Sequence, residues 1–190
     1  MATLKISNLR SQISDLTGAG ESTCQHEYVY VLDAINRGQG VSDILAINNH
    51  EFLVIERDNR SNLQTPPQAP TRKNIYRIDL SGATEVSGNN HLPATPFPGA
   101  VSKFPFINLL DSDLGLAPTI AEKIEGLAWG PDLPDGRHVL YVISDNDLNP
   151  TLATQIYAFA IDPELLNVEG QLLPGPFYPP GQVRKLLAGN

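Results

Sequence analysis

The apolar residues of this chain fall in short runs separated by clusters of Gly, Pro, Asn and Asp, and the runs carry the two-residue period of strands. Residues 28–33 (Tyr-Val-Tyr-Val-Leu-Asp) are aromatic and β-branched and stop at a turn-prone Asn-Arg-Gly-Gln-Gly over 36–40, which predicts a strand. Residues 41–47 and 52–58 flank a polar Asn-Asn-His-Glu and read as an antiparallel hairpin. Residues 61–73 hold three prolines and read as loop, whereas 74–80 alternate apolar and polar positions as a half-buried strand does. Residues 81–105 are broken by Gly82, Gly88, Gly99 and four prolines. A strand over 101–110 is expected to be distorted at Pro105, with a short helical turn within 111–123. A second hairpin pairs 124–129 with 139–145 around the turn residues 131–136, and 155–161 closes the group.

The two hairpins repeat one another. Val41-Ser42-Asp43-Ile44 lies over Ile124-Glu125-Gly126-Leu127, residues 53–55 over 140–142, Asp58-Asn59 over Asp145-Asn146, and Ile75-Tyr76 over Ile156-Tyr157. The offset between copies is about twice the ~40–45-residue period of a propeller blade. The expectation is therefore an all-β fold, a partial β-propeller of about three to four blades, each a four-stranded antiparallel sheet. The alternative is a β-sandwich built from two similar hairpins. Residues 1–162 form the expected propeller domain and 163–190 a Pro-rich C-terminal tail. Another chain or a missing segment is expected to complete the ring.

Charge and composition narrow the partners. A formal charge of −8 and a pI near 4.8 argue against a phosphate-backbone ligand, so no nucleic acid is expected. No run approaches the ~20 apolar residues of a bilayer span, and residues 1–10 lack the apolar core of a secretory signal, so a soluble, untargeted chain with no membrane partner is expected. The one cysteine, Cys24, can form no internal disulfide, has no second thiol nearby for a metal site, and reads as structural.

Several motifs occur in a specific order. Gly40-Val41-Ser42-Asp43 is followed by Leu53-Val54-Ile55-Glu56-Arg57-Asp58 and by Lys73-Asn74-Ile75-Tyr76-Arg77-Ile78-Asp79-Leu80. Ile-Glu-Gly-Leu-Ala over 124–128, Leu-Pro-Asp-Gly over 133–136 and Ser144-Asp145-Asn146-Asp147 complete the set. In these residues, across roughly 28–161, the chain resembles the phytase-like family, described as esterase-like activity of phytase. The resemblance implies a propeller fold and a phosphoester or ester hydrolase acting on a small phosphorylated or ester substrate. Family members are usually longer and often exported, so localisation stays open.

A hard cation such as Ca²⁺ takes six to eight oxygen ligands, mostly carboxylates and carbonyls. In the repeat, Asp43 and Glu125 stand at the starts of the presumed innermost strands, and Asp58 and Asp145 end the adjacent ones. Around a channel mouth these four would meet and recruit a cation, giving metal-assisted hydrolysis. The competing reading has each Asp accepting backbone N–H groups at turns, in a non-catalytic module for ligand or protein binding. Glu125, in an apolar strand start, needs a partner if buried. Glu56 and Arg57 are the catalytic candidates, with Arg57 also a substrate clamp or an inter-blade ion pair. Strand alternation puts the two on opposite faces. Asp145, Asp147 and Asn149 have calcium-loop spacing, but Pro150 and Ile156 occupy the positions of the loop's Gly and Glu. Asp111-Ser112-Asp113 reads as a solvated turn. Trp129 and Tyr141 read as core. No Gly-x-Ser-x-Gly elbow or Walker loop is present.

Overall fold

A computed structural model describes residues 26–33, 40–88 and 97–166, and the backbone of a strand at 3–6. Nine strands occur there and no α-helix: β1 (Thr3–Ile6), β2 (Tyr28–Val31), β3 (Gly40–Ala46), β4 (Glu51–Arg57), β5 (Lys73–Asp79), β6 (Ser102–Asn108), β7 (Lys123–Trp129), β8 (His138–Asp145) and β9 (Ile156–Ile161). They form sheets in the orders β1-β2, β3-β4-β5-β6 and β7-β8-β9, every pairing antiparallel. The all-β expectation holds. Among the described residues no sheet closes on itself and only one sheet has four strands.

Local sequence explains the elements. Six of the seven residues of β4 are buried, because this strand is covered on both faces; hence its unbroken apolar run. The hairpin before it turns on Asn48, whose Oδ1 accepts from the backbone N–H groups of His50 and Glu51 at 3.0 and 2.9 Å. β6 is an edge strand, where the missing N–H of Pro105 is tolerated. Its register slips between Ile75 and Tyr76, which face Ile107 and Pro105 and leave Phe106 bulged. The helical turn expected within 111–123 is a 3-10 turn at Ser112–Leu114. Asp111 caps it by accepting from Asp113 N at 3.0 Å, and Gly115 ends it at φ 64°.

The four-stranded sheet is the middle layer. On one face Leu53, Ile55 and Ile75 pack with Ile124, Leu127, Leu140 and Val142 of the three-stranded sheet, all buried. On the other, Phe52, Val54 and Ile78 pack with Tyr30 of β2 and with Val101. Fully burying one such side chain contributes roughly 1.5–3 kcal/mol, so these two layers dominate stability. β3 and β7 lie side by side. Ser42 Oγ donates to Ile124 O at 2.7 Å, Leu127 N to Asp43 Oδ2 at 2.6 Å, and Trp129 Nε1 to Ala46 O at 2.8 Å. These contacts climb both strands in the same order, so β3 and β7 run in the same direction. Each also carries a register slip near its start, at Val41/Ile44 and at Ile124/Gly126. The turn expected over 36–40, apart from Gly40, lies outside the described residues, as do Cys24 and the tail beyond residue 166.

Candidate functional site

Every residue singled out for chemistry lies at one end of the stacked sheets, where β3 and β7 begin and β4 and β8 end. The register places Gly40 opposite Arg57 and Lys123 opposite Asp145. Asp145 therefore corresponds to Arg57 in the ladder, and Asp58 lies one residue further on than the sequence repeat suggested. Glu56 and Arg57 point to opposite faces of β4, so the charged end has two separate halves.

The half between the sheets is built of pairs. Arg57 Nη2 lies 2.5 Å from Glu125 Oε1 and Arg57 also donates to Asn59, which makes Arg57–Glu125 an ion pair from β4 to β7. Asp43 spans the sheets as well, because Oδ1 accepts from Ile44 N at 2.8 Å and Oδ2 from Leu127 N at 2.6 Å. Asp58 Oδ2 accepts from Thr71 N (2.7 Å), Thr71 Oγ1 (2.8 Å) and Arg72 N (3.1 Å), and Oδ1 lies 3.2 Å from Lys73 Nζ. Burial pushes the Asp58 carboxyl up in pKa, but these donors outweigh it and the carboxyl sits below the usual range. Lys73 is fully buried; its Nζ also donates to Asp58 O at 2.7 Å and Glu122 O at 2.5 Å. Burial draws its pKa down to about 8 against the opposing pull of Asp58.

Asp145 stands apart from the other three acids. Its Oδ1 accepts from Asp147 N at 3.2 Å in an exposed turn where Asp147 and Leu148 take φ of 51° and 58°. It lines a shallow recess with Ser61, Gln64, Lys123, Asn146 and Asp147. Lys123 Nζ lies 3.4 Å from Asp147. The structure thus brings Asp43 and Glu125 to one seam and leaves Asp58 and Asp145 in separate surroundings. Among the described residues, no three His, Cys, Asp or Glu side chains are placed to hold an ion together.

The other half is a network that sequence reading reached only through Glu56. The Glu56 carboxylate is buried at 3% exposure. Its Oε1 accepts from Tyr30 Oη at 2.5 Å and Lys103 Nζ at 2.6 Å, and Oε2 lies 3.5 Å from Arg72. Asp33, just past β2, receives Lys103 Nζ on Oδ1 at 2.6 Å, and Arg72 Nη1 and Tyr76 Oη on Oδ2 at 2.7 and 2.5 Å. Lys103 also sits 4.3 Å over the Tyr76 ring, a cation–π contact. Burial and the Asp33 contact push the Tyr76 hydroxyl up to about 12. Asp33 falls to about 2, because bonds from Lys103, Tyr76 and Arg72 outweigh its partial burial. The signal for this network was Glu56 itself, since a carboxylate inside a buried run demands partners.

The family model for phytase-like proteins, described as esterase-like activity of phytase, matches residues 7–148. The chain belongs to that family. No curated protein and no solved structure matches it.

Proposed function

We propose that this chain is a sector of a β-propeller domain that hydrolyses small phosphate or carboxylic esters, with substrate bound at the charged end of the sheets. The observation that carries this reading is the side-by-side, same-direction run of β3 and β7, with the charged residues of both sheets gathered at their starts. Innermost strands of adjacent blades run this way around a channel, and its mouth is where ligands bind. The family match supports a hydrolase-like reaction.

A calcium centre built from Asp43, Asp58, Glu125 and Asp145 does not fit this arrangement. Asp43 and Asp58 direct their oxygens at N–H and ammonium donors, Glu125 is paired with Arg57, and Asp145 lines a recess with Lys123 and Asp147. Calcium needs several free oxygens converging on one point. No catalytic step is therefore routed through a metal held by these four. They act as staples that fix the geometry of the charged end. Glu56 and Arg57, each already paired, shape it from the two faces of β4.

These same pairings favour a second reading, a non-catalytic module that binds a ligand or a protein. Nitrophenyl phosphate and nitrophenyl acetate distinguish the two. The hydrolase reading predicts saturable nitrophenol release from one of them at the same rate with and without EDTA. Release no faster than in buffer from both supports the binding module and ends the hydrolase reading.

A further inference from the structure

We propose that Arg72, Lys103 and Tyr76 form a preassembled site for a tetrahedral oxyanion, phosphate or the phosphate group of an ester, and that Asp33 is its tethered, displaceable occupant. This locates the anionic group of the substrate class proposed above, but it needs no hydrolysis to be true. Three donors from three places in the chain converge on a single carboxylate: Lys103 Nζ at 2.6 Å, Arg72 Nη1 at 2.7 Å and Tyr76 Oη at 2.5 Å. All three donors are largely covered, Lys103 at 16%, Arg72 at 20% and Tyr76 at 6% exposure, whereas Asp33 is 36% exposed. The donors are held by the sheet and its adjoining loop, but the acceptor lies beyond the end of β2 and faces water.

The charge balance explains why an anion belongs there. Glu56 is a fixed, buried carboxylate and offsets only one of the two cations beside it. Without Asp33 the cradle holds one uncompensated positive charge in a partly desolvated place, which is unfavourable. Asp33 supplies the missing negative charge from the position most easily vacated. The guanidinium is also unsaturated, since Arg72 Nε is buried without an acceptor. A carboxylate brings two oxygens to these donors, and a phosphate brings more oxygens and more charge. Tyr76 is set to donate, because Asn74 Nδ2 and Arg72 Nη1 approach its oxygen at 2.9 and 3.3 Å and leave its proton for the anion.

Asp33→Asn keeps the size of the occupant and removes its charge. The full chain and this variant are titrated with inorganic phosphate, with sulfate as a second oxyanion and chloride at equal ionic strength as control, and the melting temperature is followed. The expected result is a saturable rise for D33N at a phosphate concentration at least tenfold below that needed by the unaltered chain. Adding Tyr76→Phe to D33N should weaken the phosphate response several-fold. A D33N response no greater than that of the unaltered chain, or one that chloride reproduces, overturns the proposal. If D33N is unfolded in buffer, recovery of the strand circular dichroism signal on adding phosphate supports it, and failure to recover at any phosphate concentration overturns it.

Discussion

The two faces of β4 carry the same kinds of residue at the same end and use them differently. Toward β7, Asp43 and Glu125 bridge to the neighbouring sheet, and Asp58 holds the loop after β4 together with the fully buried Lys73. Each of these acids sits with its own donors, and removing one leaves a specific partner stranded. Toward β2, Glu56 and Asp33 share Lys103 and Arg72, so the loss of one carboxylate leaves the other still in contact with both cations. Dedicated pairs fix geometry, whereas a shared network can exchange a member. That distinction assigns the first face to holding the sheets together and the second to receiving an anion.

The largest effect is expected at Asp58. Asp58→Ala removes the carboxylate that holds the buried Lys73 in its charged form, so the ammonium is left unpaired or gives up its proton, and should cost about 3–5 kcal/mol in urea unfolding. Glu56→Gln, on the sharing face, should cost less, about 1.5–3 kcal/mol, because Asp33 still balances part of the charge. Equal losses for the two would remove the contrast.

Acid should act through the same groups. Asp33, lowered to about 2, and Asp58 and Asp79, both lowered, are depressed on folding, so the stability they contribute is present above pH ~4 and is lost as pH falls toward 2. D33N should flatten its share of that fall in a series of melts. An unaltered slope would show that Asp33 is not held by its donors. At the small end, a double-mutant cycle on Arg57 and Glu125 should give a coupling of no more than about 1 kcal/mol, since the Glu125 side chain is 35% exposed and the pair is partly screened.

Much of the fold was legible in the chain because strand alternation and turn residues are local signals. The strands around residues 52–58, 74–80, 139–145 and 155–161 emerge within a few residues of β4, β5, β8 and β9. Pro105 marked the irregular edge strand for the same reason. The site was harder to read. Glu56 stood out as a charge in an apolar run, but its partners come from Tyr30, Arg72 and Lys103, and nothing local in those residues announces the meeting. The register slips in β3 and β7 were equally silent, because an extra residue in a strand leaves the composition unchanged. The same slip occurs in both hairpins and cancels in an overlay, so the displacement of Asp58 comes instead from the unequal turns, 47–50 in one hairpin and 130–137 in the other. Counting acids picked out one end of the sheets; which donors the acids face could only be read from the assembled layers.

Thermal melts of the full chain in EDTA and in millimolar calcium ask whether Asp43, Asp58 and Glu125 are structural staples, each already paired within the fold. The same melting temperature is expected in both, because among the described residues no three carboxylates converge to take the ion. A saturable rise with calcium, lost in Asp43→Asn or Glu125→Gln, would contradict it.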